Sequence, residues 1–376
     1  MIEIHPVSGK RSLKQFIKVP WAIYRNDPNW IPPLILERLL ALSPGEPVFE
    51  HLDWQAWIAC SEGRPIGRIS AQIDSLHLEH SHPEEGFFGM IEGVDDRKAF
   101  ERLTGTAEAW LRERGMTRVL GPLSLNMNQE PGLLFQGYDT PPTFLMGHAR
   151  PYYHRHLEAV GYRPCQELLA YRMYNDYREP ATIRRLRKRL AGRLELRNIN
   201  HADRLAELEN LRRIFNDGWA DNWGFVPFTE AEFRAIGKML LLAIPKDFII
   251  IAELDGEPAG FIVVLPDINA CIGDLNGRLF PTGFVKLLWR LKVRFPETVR
   301  VPLMGVRKDL QETVFGPGIA MTLIHAASAP AIRRGVVSGE LSWILEQNAG
   351  MRSIIERLGG TVTKRYRLYR KDLGGS

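Results

Sequence analysis

The strongest constraint on the fold is that the chain repeats itself at long range. The stretch Ala59-Cys-Ser-Glu-Gly63-Arg-Pro65-Ile-Gly67-Arg-Ile69 recurs as Ala252-Glu-Leu-Asp-Gly256-Glu-Pro258-Ala-Gly260-Phe-Ile262, with Ala, Gly, Pro, Gly and Ile all displaced by 193 positions. Asp74 and Asp267 keep the same offset. Each copy has the form apolar strand, acidic residue, glycine, apolar strand. An acidic-Gly pair between apolar runs signals a hairpin, because the tightest turn needs two residues with positive φ. Self-similarity over this distance marks a duplicated folding unit; the alternative is two unrelated α/β domains that share turn chemistry.

Two further echoes complete the frame. Gly121-Pro-Leu123-Ser124 pairs with Gly339-Glu-Leu341-Ser342 at an offset of 218, and Gly161 pairs with Gly359 at 198, each of these last two following a short helix. The second copy is thus 25 residues longer between hairpin and later strand, and the first is 20 residues longer after that strand. A chain of 376 residues exceeds the roughly 100–200 that one core organises, so two domains are expected, residues 1–175 and 176–376.

Each copy reads strand, two helices, hairpin, strand, helix, strand, helix, strand. In the second copy the strands are expected over 194–198, 248–265 as a hairpin, 299–306, 336–345 and 361–370, with helices over 202–216, 318–329 and 348–358. Leu205, Leu208, Leu211 and Phe215 form the inward side of the first of these helices. Thr229-Glu-Ala-Glu232 is a capping box that opens another helix. In the first copy strands are expected over 54–60, 66–73 and 86–93, then a helix over 96–114 with Phe100, Leu103, Ala107, Trp110 and Leu111 inward.

This element order resembles the GNAT acyltransferase fold, a mixed α/β architecture that would here occur twice in tandem. The resemblance centres on a Gly-rich turn between the fourth strand and its helix, with the family signature R/Q-x-x-G-x-G/A. Phe315-Gly316-Pro-Gly318-Ile-Ala320 carries Gly and Ala at the last two positions and Phe315 where the family has Arg or Gln. Unpaired amides and the positive end of the dipole at a helix start suit a pyrophosphate, and small residues let it approach. The first copy has Val94-Asp95-Asp96 there instead, two carboxylates that repel an anion. Only the second half is therefore expected to hold acyl-CoA.

Several stretches are also similar to the bacterial ceramide synthases, acyl-CoA-dependent GNAT-like enzymes: GPLSLNMNQEPGLL from Gly121, PYYHRHLEAVGY from Pro151, Asn216 to Trp219, Asn222 to Pro227, and SWILEQN from Ser342. The resemblance implies an N-acyltransferase that moves a long-chain acyl group from acyl-CoA, or an acyl-carrier protein, to the amine of a sphingoid base. The alternatives are an N-acyltransferase for another small amine, and a degenerate pair that only binds lipid or acyl-CoA.

Amide formation from a thioester needs a deprotonated amine, a donor for the developing oxyanion and a route for the thiolate. No G-x-S-x-G elbow occurs, and no cysteine has a recognisable histidine partner, so direct attack is expected. The resemblance maps the oxyanion donor to Met304-Gly305-Val306, with a bulge at Gly305. The family's tyrosine acid would fall at Ile355, so acid and base are sought at Tyr153 and His148, beside Tyr152, and at Glu346. Asn348 is a helix cap beside the donor site, and Asn216, Trp219, Asn222 and Trp223 are candidates for the acceptor pocket.

Charge and cysteine content narrow the partners. Lys plus Arg of 49 against Asp plus Glu of 44 gives +5, a mild balance that suits anionic small molecules or a membrane surface rather than nucleic acid. Three widely spaced cysteines indicate neither disulfides nor zinc, and His77 to His82 matches no metal spacing, so that stretch is expected to be a solvated loop without metal. The amino terminus lacks an apolar signal core, and no window reads as a spanning helix, so a cytoplasmic protein is expected. In Gly283 to Phe295, Phe284, Leu287, Leu288, Leu291 and Phe295 form one helical stripe and Lys286, Arg290 and Arg294 another, the pattern of a helix lying on an anionic membrane; the alternative is a helix that covers the sheet. IRRLRKRL from Ile183 is expected to be a solvated basic helix.

Overall fold

The structure, a computed structural model, describes residues 1–80, 83–176, 181–313 and 315–374. The chain forms two compact units: unit 1 comprises Met1–Leu168, Ile272–Phe284 and Lys364–Ser376, and unit 2 comprises Leu169–Cys271 and Val285–Thr363. Unit 1 is built from β1 (Ile2–Pro6), α1 (Gly9–Ile23), α2 (Ile35–Ala41), β2 (Leu52–Ser61), β3 (Arg64–Asp74), α3 (Ser75–His80), β4 (Glu85–Gly93), α4 (Arg97–Arg112), β5 (Arg118–Gly121), β6 (Leu123–Ser124), β7 (Glu130–Pro131), β8 (Leu133–Gln136) and α5 (Tyr153–Ala159). The chain continues through β9 (Arg163–Tyr174), α6 (Ala181–Leu190), β10 (Leu194–Asn198), α7 (Arg204–Trp219), α8 (Glu230–Ala243), β11 (Ile249–Leu254), β12 (Glu257–Pro266), α9 (Ile268–Ile272) and α10 (Gly283–Trp289). It ends with β13 (Thr298–Val306), α11 (Lys308–Gln311), α12 (Phe315–Arg333), β14 (Ser338–Leu345), α13 (Ala349–Arg357) and β15 (Thr361–Asp372). Strands β9 and β15 each begin in one unit and end in the other.

Both units realise the duplicated frame. In unit 1, β1 to β4 form an antiparallel meander and β4 pairs in parallel with β5. In unit 2, β10 to β13 form the same meander and β13 pairs in parallel with β14. The hairpins match in detail. Glu62 and Gly63 have φ of 50° and 72°, and Asp255 and Gly256, 193 positions on, have 53° and 85°, so both turns have the two positive φ values that the acidic-Gly pair signals. Each hairpin also has a register shift at the same place, between Ala59 and Cys60 and between Ala252 and Glu253.

The repeated glycines Gly67 and Gly260 explain themselves by packing. A Cβ on Gly67 would lie 2.8 Å from the Glu92 carbonyl and from Leu103 of α4; one on Gly260 would lie 2.9 Å from the Gly305 carbonyl and 3.0 Å from Ile319 of α12. In both units a helix leans on the second hairpin strand where only glycine fits. Helix α4 buries Phe100, Leu103, Ala107, Trp110 and Leu111, the side expected from the periodicity, and Asp96 caps it by accepting from the Lys98 amide. The Thr229–Glu232 capping box forms with both reciprocal bonds.

Some expectations change. Helix α7 buries Leu208, Leu211, Ile214 and Phe215 but leaves Leu205 exposed, because residues 201–203 form a 3₁₀ turn that shifts the start of the helix. His77 is buried on α3 with Nε2 3.3 Å from Glu85 Oε1, so that stretch is a helix rather than a solvated loop; His82 lies outside the described residues. Among the described residues no cluster of metal-ligating side chains occurs. Helix α12 has the length and apolar composition of a membrane span, but 61% of that stretch is buried and it is a core helix of unit 2. Helix α6 presents Arg184, Arg185, Arg187, Lys188 and Arg189 to solvent.

Candidate active site

The parallel ladder of unit 2 is short. It runs from Thr298 opposite Ser338 to Val301 opposite Leu341 and stops, although β13 continues to Val306 and β14 to Leu345. Pro302 follows the last pair and has no N–H to donate, which gives the ladder a reason to end there. Where the strands part, a cleft of about 240 Å³ opens, walled by Met304, Gly305 and Val306 of β13 and by Ser342, Trp343 and Ile344 of β14. That is below the ~300–1,000 Å³ of common ligand pockets and suits a narrow chain rather than a broad ligand.

The bulge expected at Gly305 lies three residues earlier. Leu303 faces Val263 while Arg300 faces Leu265, so the extra residue of β13 falls at Val301–Pro302, and Met304 to Val306 stay in regular register with Ile262 to Gly260. Gly305 is needed for packing, since a Cβ there would lie 3.0 Å from the Phe261 ring and 3.4 Å from Ile214. The Met304 carbonyl accepts from Trp219 Nε1 at 3.0 Å and the Val306 carbonyl from Gln311 Nε2 at 2.8 Å, so both point off the β12 side. The N–H and C=O of one strand residue lie on the same edge, which turns the Met304 amide toward the parted side as well.

Two helix starts open onto this cleft. Helix α12 begins at Phe315, not at Gly318, so the glycines form its first turn. Proline inside that turn is the reason, because its missing N–H is one of those a helix start leaves unpaired. Phe315 N donates to Thr313 Oγ1 at 3.1 Å, Pro317 has no N–H, and helix geometry commits the Gly318 amide to the first intrahelical bond, so the Gly316 amide is the one in this turn that the helix itself leaves unpaired. Gly316, Pro317 and Ala320 line the cleft. Phe315 stands in place of the signature's cation, and the Arg193 guanidinium lies 5.3 Å from its ring while paired to Asp255. At α13, Asn348 caps the helix by accepting from Met351 N at 3.0 Å, and it lines the cleft with Gly350 and Met351.

Of the acceptor-side candidates, Trp219 and Asn222 line the cleft, and Trp219 is stacked on Phe215 at 5.1 Å. Asn216 instead clasps the following loop, its side chain bonding both the carbonyl and the amide of Phe228 at 3.0 Å. Trp223 lies in that loop, partly buried. Glu346 is exposed just beyond the end of β14, its backbone carbonyl held by Arg352. Ile355 is fully buried.

Beneath the cleft is a buried ionic network that the sequence does not reveal. Arg300, fully buried, donates from Nε to Ser342 Oγ at 3.0 Å and lies 4.5 Å from the Trp343 ring. Ser342 in turn donates to the fully buried Glu340 at 3.0 Å, whose other oxygen lies 3.8 Å from Arg172. The network ties β13 to β14 at the fork.

The remaining candidates belong to unit 1. Tyr153 is fully buried; its hydroxyl donates to Glu92 Oε2 at 2.6 Å and accepts from Gly93 N at 3.2 Å, and burial beside that carboxylate raises its pKa well above normal. Tyr152 donates to the Gly93 carbonyl at 2.8 Å, and burial pushes it up to about 12. Both backbone groups of Gly93 at the end of β4 are thus occupied. Further along β4, a Cβ on Gly89 would collide with the Leu123 carbonyl, so the chain itself lies against this strand. Asp95 pairs with His156 at 2.7 Å and Arg155 at 2.8 Å beside the capped start of α4.

His148 is the candidate with the most chemical character. Its Nε2 lies 3.0 Å from Asp27 Oδ2, and its Nδ1 is buried without a hydrogen-bond partner among the described residues. Burial lowers the imidazole pKa by more than Asp27 raises it, so the ring is neutral near pH 7, with its proton directed to the carboxylate and a lone pair free on Nδ1. Burial of Asp27 is outweighed by its bonds to His148 and Asn29 and by Arg150, which hold the carboxyl below its usual range. Sequence reasoning missed Asp27, which is 121 residues from His148.

The duplicated meander, the parted strands and the helix start facing them define the class: this is a tandem GNAT-fold protein. A tandem GNAT protein from the clavulanic acid biosynthesis pathway matches over 100% of both chains with a TM-score of 0.60 at 12% identity, and a GCN5-related glucosamine N-acetyltransferase region of a fungal multi-domain protein covers 99% of this chain, 38% of that one, with a TM-score of 0.58. The chain belongs to the same family as bacterial ceramide synthase of Caulobacter vibrioides, to which it is 43% identical over 376 residues, covering 99% of this chain and 98% of that protein. It is also 49% identical over 366 residues to Protein YghO of Escherichia coli, covering 97% and 94%. No family model matches the sequence.

Proposed function

We propose that unit 2 holds acyl-CoA and that the chain transfers its long-chain acyl group to the amine of a sphingoid base, making a ceramide. The observation that carries this reading is that the parted strands β13 and β14 and the first turn of α12 line one cleft. In this reading the Gly316 amide and the positive end of α12 bind the diphosphate, and the pantetheine arm lies between the strands. Unit 1 is scaffold rather than a second acyl-CoA site, since its corresponding strand end is occupied by Tyr152 and Tyr153 and its helix start by Asp95 and Asp96. The likeness to bacterial ceramide synthase over nearly both lengths supports the lipid amine as acceptor.

The amine reacts as the free base; within unit 1 the group fit to take a proton is His148, oriented by Asp27. The nitrogen attacks the thioester carbonyl, the Met304 amide meets the charge that develops on oxygen, the C–N bond forms and the C–S bond breaks. Coenzyme A leaves as the thiolate and takes up a proton. Tyr153 acts by fixing Glu92 rather than by giving a proton to substrate, and Glu346, exposed beyond the end of β14, is the carboxylate assigned to a charged acceptor.

The segment Gly283 to Phe295 contacts the membrane in this reading, at its inner face. Its helical pattern breaks at a π-helical turn over Arg290–Arg294, which changes the phase, so the exposed apolar residues are Phe284, Val285, Leu288, Trp289 and Val293, whereas Leu291 is buried and Phe295 packs on Phe248. Arg290 is anchored to the Cys271 carbonyl at 2.6 Å, leaving Lys286, Lys292 and Arg294 on the exposed side. The decisive experiment is thiol release with palmitoyl-CoA and a panel of amines, with mass spectrometry of the product. N-acyl sphingoid base is expected; acyl-CoA binding with no thiol release from any amine would reduce the chain to a binding protein.

A further inference from the structure

Helix α2 is apolar on two sides. Ile35 and Leu39 pack against the unit 1 core around Phe16 and Leu52, yet Leu36 and Leu40, one turn apart on the other side, are 42% and 57% exposed. A helix that is apolar all round is normally covered. The segment 276–284 is fastened to α1 and α2, with Trp21 Nε1 donating to Asn276 at 2.6 Å and Ile35 N to the Gly277 carbonyl at 3.0 Å. It carries Phe280, 64% exposed, and Phe284, stacked on each other at 6.1 Å.

Helix α1, packed on α2, adds charge. Arg11, Lys14 and Lys18, at helical spacing, line a groove of about 370 Å³ floored by Val19, Ala22 and Pro65, with Lys10 exposed beside them. No acidic residue occurs in α1.

We infer that α1, α2 and the 276–284 segment form a bilayer-docking face of unit 1, with an anionic lipid surface as its occupant. The face adds α1, α2 and Phe280 to the Gly283–Phe295 contact, with which it shares Phe284, and deepens the reading of a lipid amine as substrate, on which it rests for its purpose. A bilayer fits better than an acidic protein because the exposed Leu and Phe side chains stand on two elements and, among the described residues, line no groove of their own. Protein anchors need shaped pockets, whereas hydrocarbon accepts any shape and headgroups meet cations at the rim.

The test is co-sedimentation of the full chain with vesicles of phosphatidylcholine plus phosphatidylglycerol, against phosphatidylcholine alone, at low and high salt. Wild type is expected to pellet with the anionic vesicles at low salt, and Leu36→Glu/Leu40→Glu and Lys14→Glu/Lys18→Glu each to weaken binding about tenfold or more. All four positions are on the surface, and a milder Leu36→Ser/Leu40→Ser pair guards against misfolding, checked by thermal unfolding. Variants that pellet like wild type overturn the inference, as does a wild type that ignores vesicles but binds an acidic carrier protein. Thiol release with a water-soluble short-chain amine is measured in parallel. Its absence in every form, with vesicle binding intact, counts against the enzymatic reading and leaves the docking face standing.

Discussion

The indole Nε1 of Trp219 donates to the carbonyl of Met304 at 3.0 Å, joining the end of α7 to the strand that walls the cleft. The bond holds β13 beyond the point where β14 has left it, and it fixes the peptide next to the one whose amide is assigned to the oxyanion. Trp219→Phe keeps the ring stacked on Phe215 and removes only the donor. A net hydrogen bond of about 1 kcal/mol corresponds to about a fivefold fall in kcat/KM. Steady-state kinetics with palmitoyl-CoA checks this, and a variant as active as wild type removes Trp219 from the site's support.

Gly316 is tested by its own surroundings. A Cβ there would lie 2.6 Å from the Leu310 carbonyl and 2.8 Å from Gln311 Cα, backbone atoms that cannot swing aside. Gly316→Ala is expected to displace the start of α12, costing about 1–3 kcal/mol of stability and a larger share of acyl-CoA affinity. Gly350 lines the same cleft, but a Cβ there would meet only Asn348 Oδ1 at 3.9 Å, so Gly350→Ala should keep full stability. Thermal unfolding with and without CoA separates the two.

The pH profile reports on His148. The imidazole must be neutral to accept a proton, and its pKa lies below the ordinary 6.5, so turnover should persist as pH falls through 6.5 and fail only below it. Asp27→Asn withdraws the group that raises this pKa, so the acid limb should move lower still while kcat falls through loss of ring orientation. His148→Ala should abolish amide formation and leave acyl-CoA binding unchanged by calorimetry. An acid limb at or above 6.5 in wild type would assign the base elsewhere.

His154 carries a stability prediction. Burial pushes it down to about 4 from 6.5, with Nδ1 2.6 Å from the Tyr369 hydroxyl and Nε2 2.9 Å from the Leu134 carbonyl. Its folded pKa is below its unfolded one, so the unfolded chain binds the proton first. Stability is full above about 6.5 and is lost as pH falls toward about 4. Urea unfolding at pH 7 and pH 5 should show the loss, and His154→Gln should flatten part of it.

Local chemistry made the hairpins and α4 legible, because turn residues and a 3.6-residue period act within a few positions. The start of α12 was misjudged because Gly-Pro-Gly reads as a turn, although proline is equally at home in a first helical turn. The resemblance, with a glycine inside a strand pattern, points to a bulge at Gly305, whereas the registers of β12 and β13 put it beside Pro302. Pairs such as Asp27 with His148, or Arg300 with Ser342 and Glu340, leave no local trace, since each partner comes from a distant segment and becomes adjacent only through the sheet or the packing around it.

That last network sets the final prediction. Arg300 is fully buried between Ser342 and the Trp343 ring, and Glu340, equally buried, is reached through Ser342 Oγ and flanked by Arg172 at 3.8 Å. Arg300→Met keeps the volume but removes the guanidinium, leaving the carboxylate with less compensation in a place water does not reach. Breaking one partner of a buried ionic set costs about 3–5 kcal/mol, whereas replacing the charges together by apolar groups is often near neutral. Arg300→Met should therefore unfold at clearly lower temperature, and Arg300→Met/Glu340→Leu should recover part of the loss, limited by the charge left on Arg172. Arg300→Lys should fall between, because an ammonium restores charge without the planar stacking on Trp343. A double variant less stable than the sum of its singles would mean that the fork is held by packing and that the charges are not coupled as their geometry indicates.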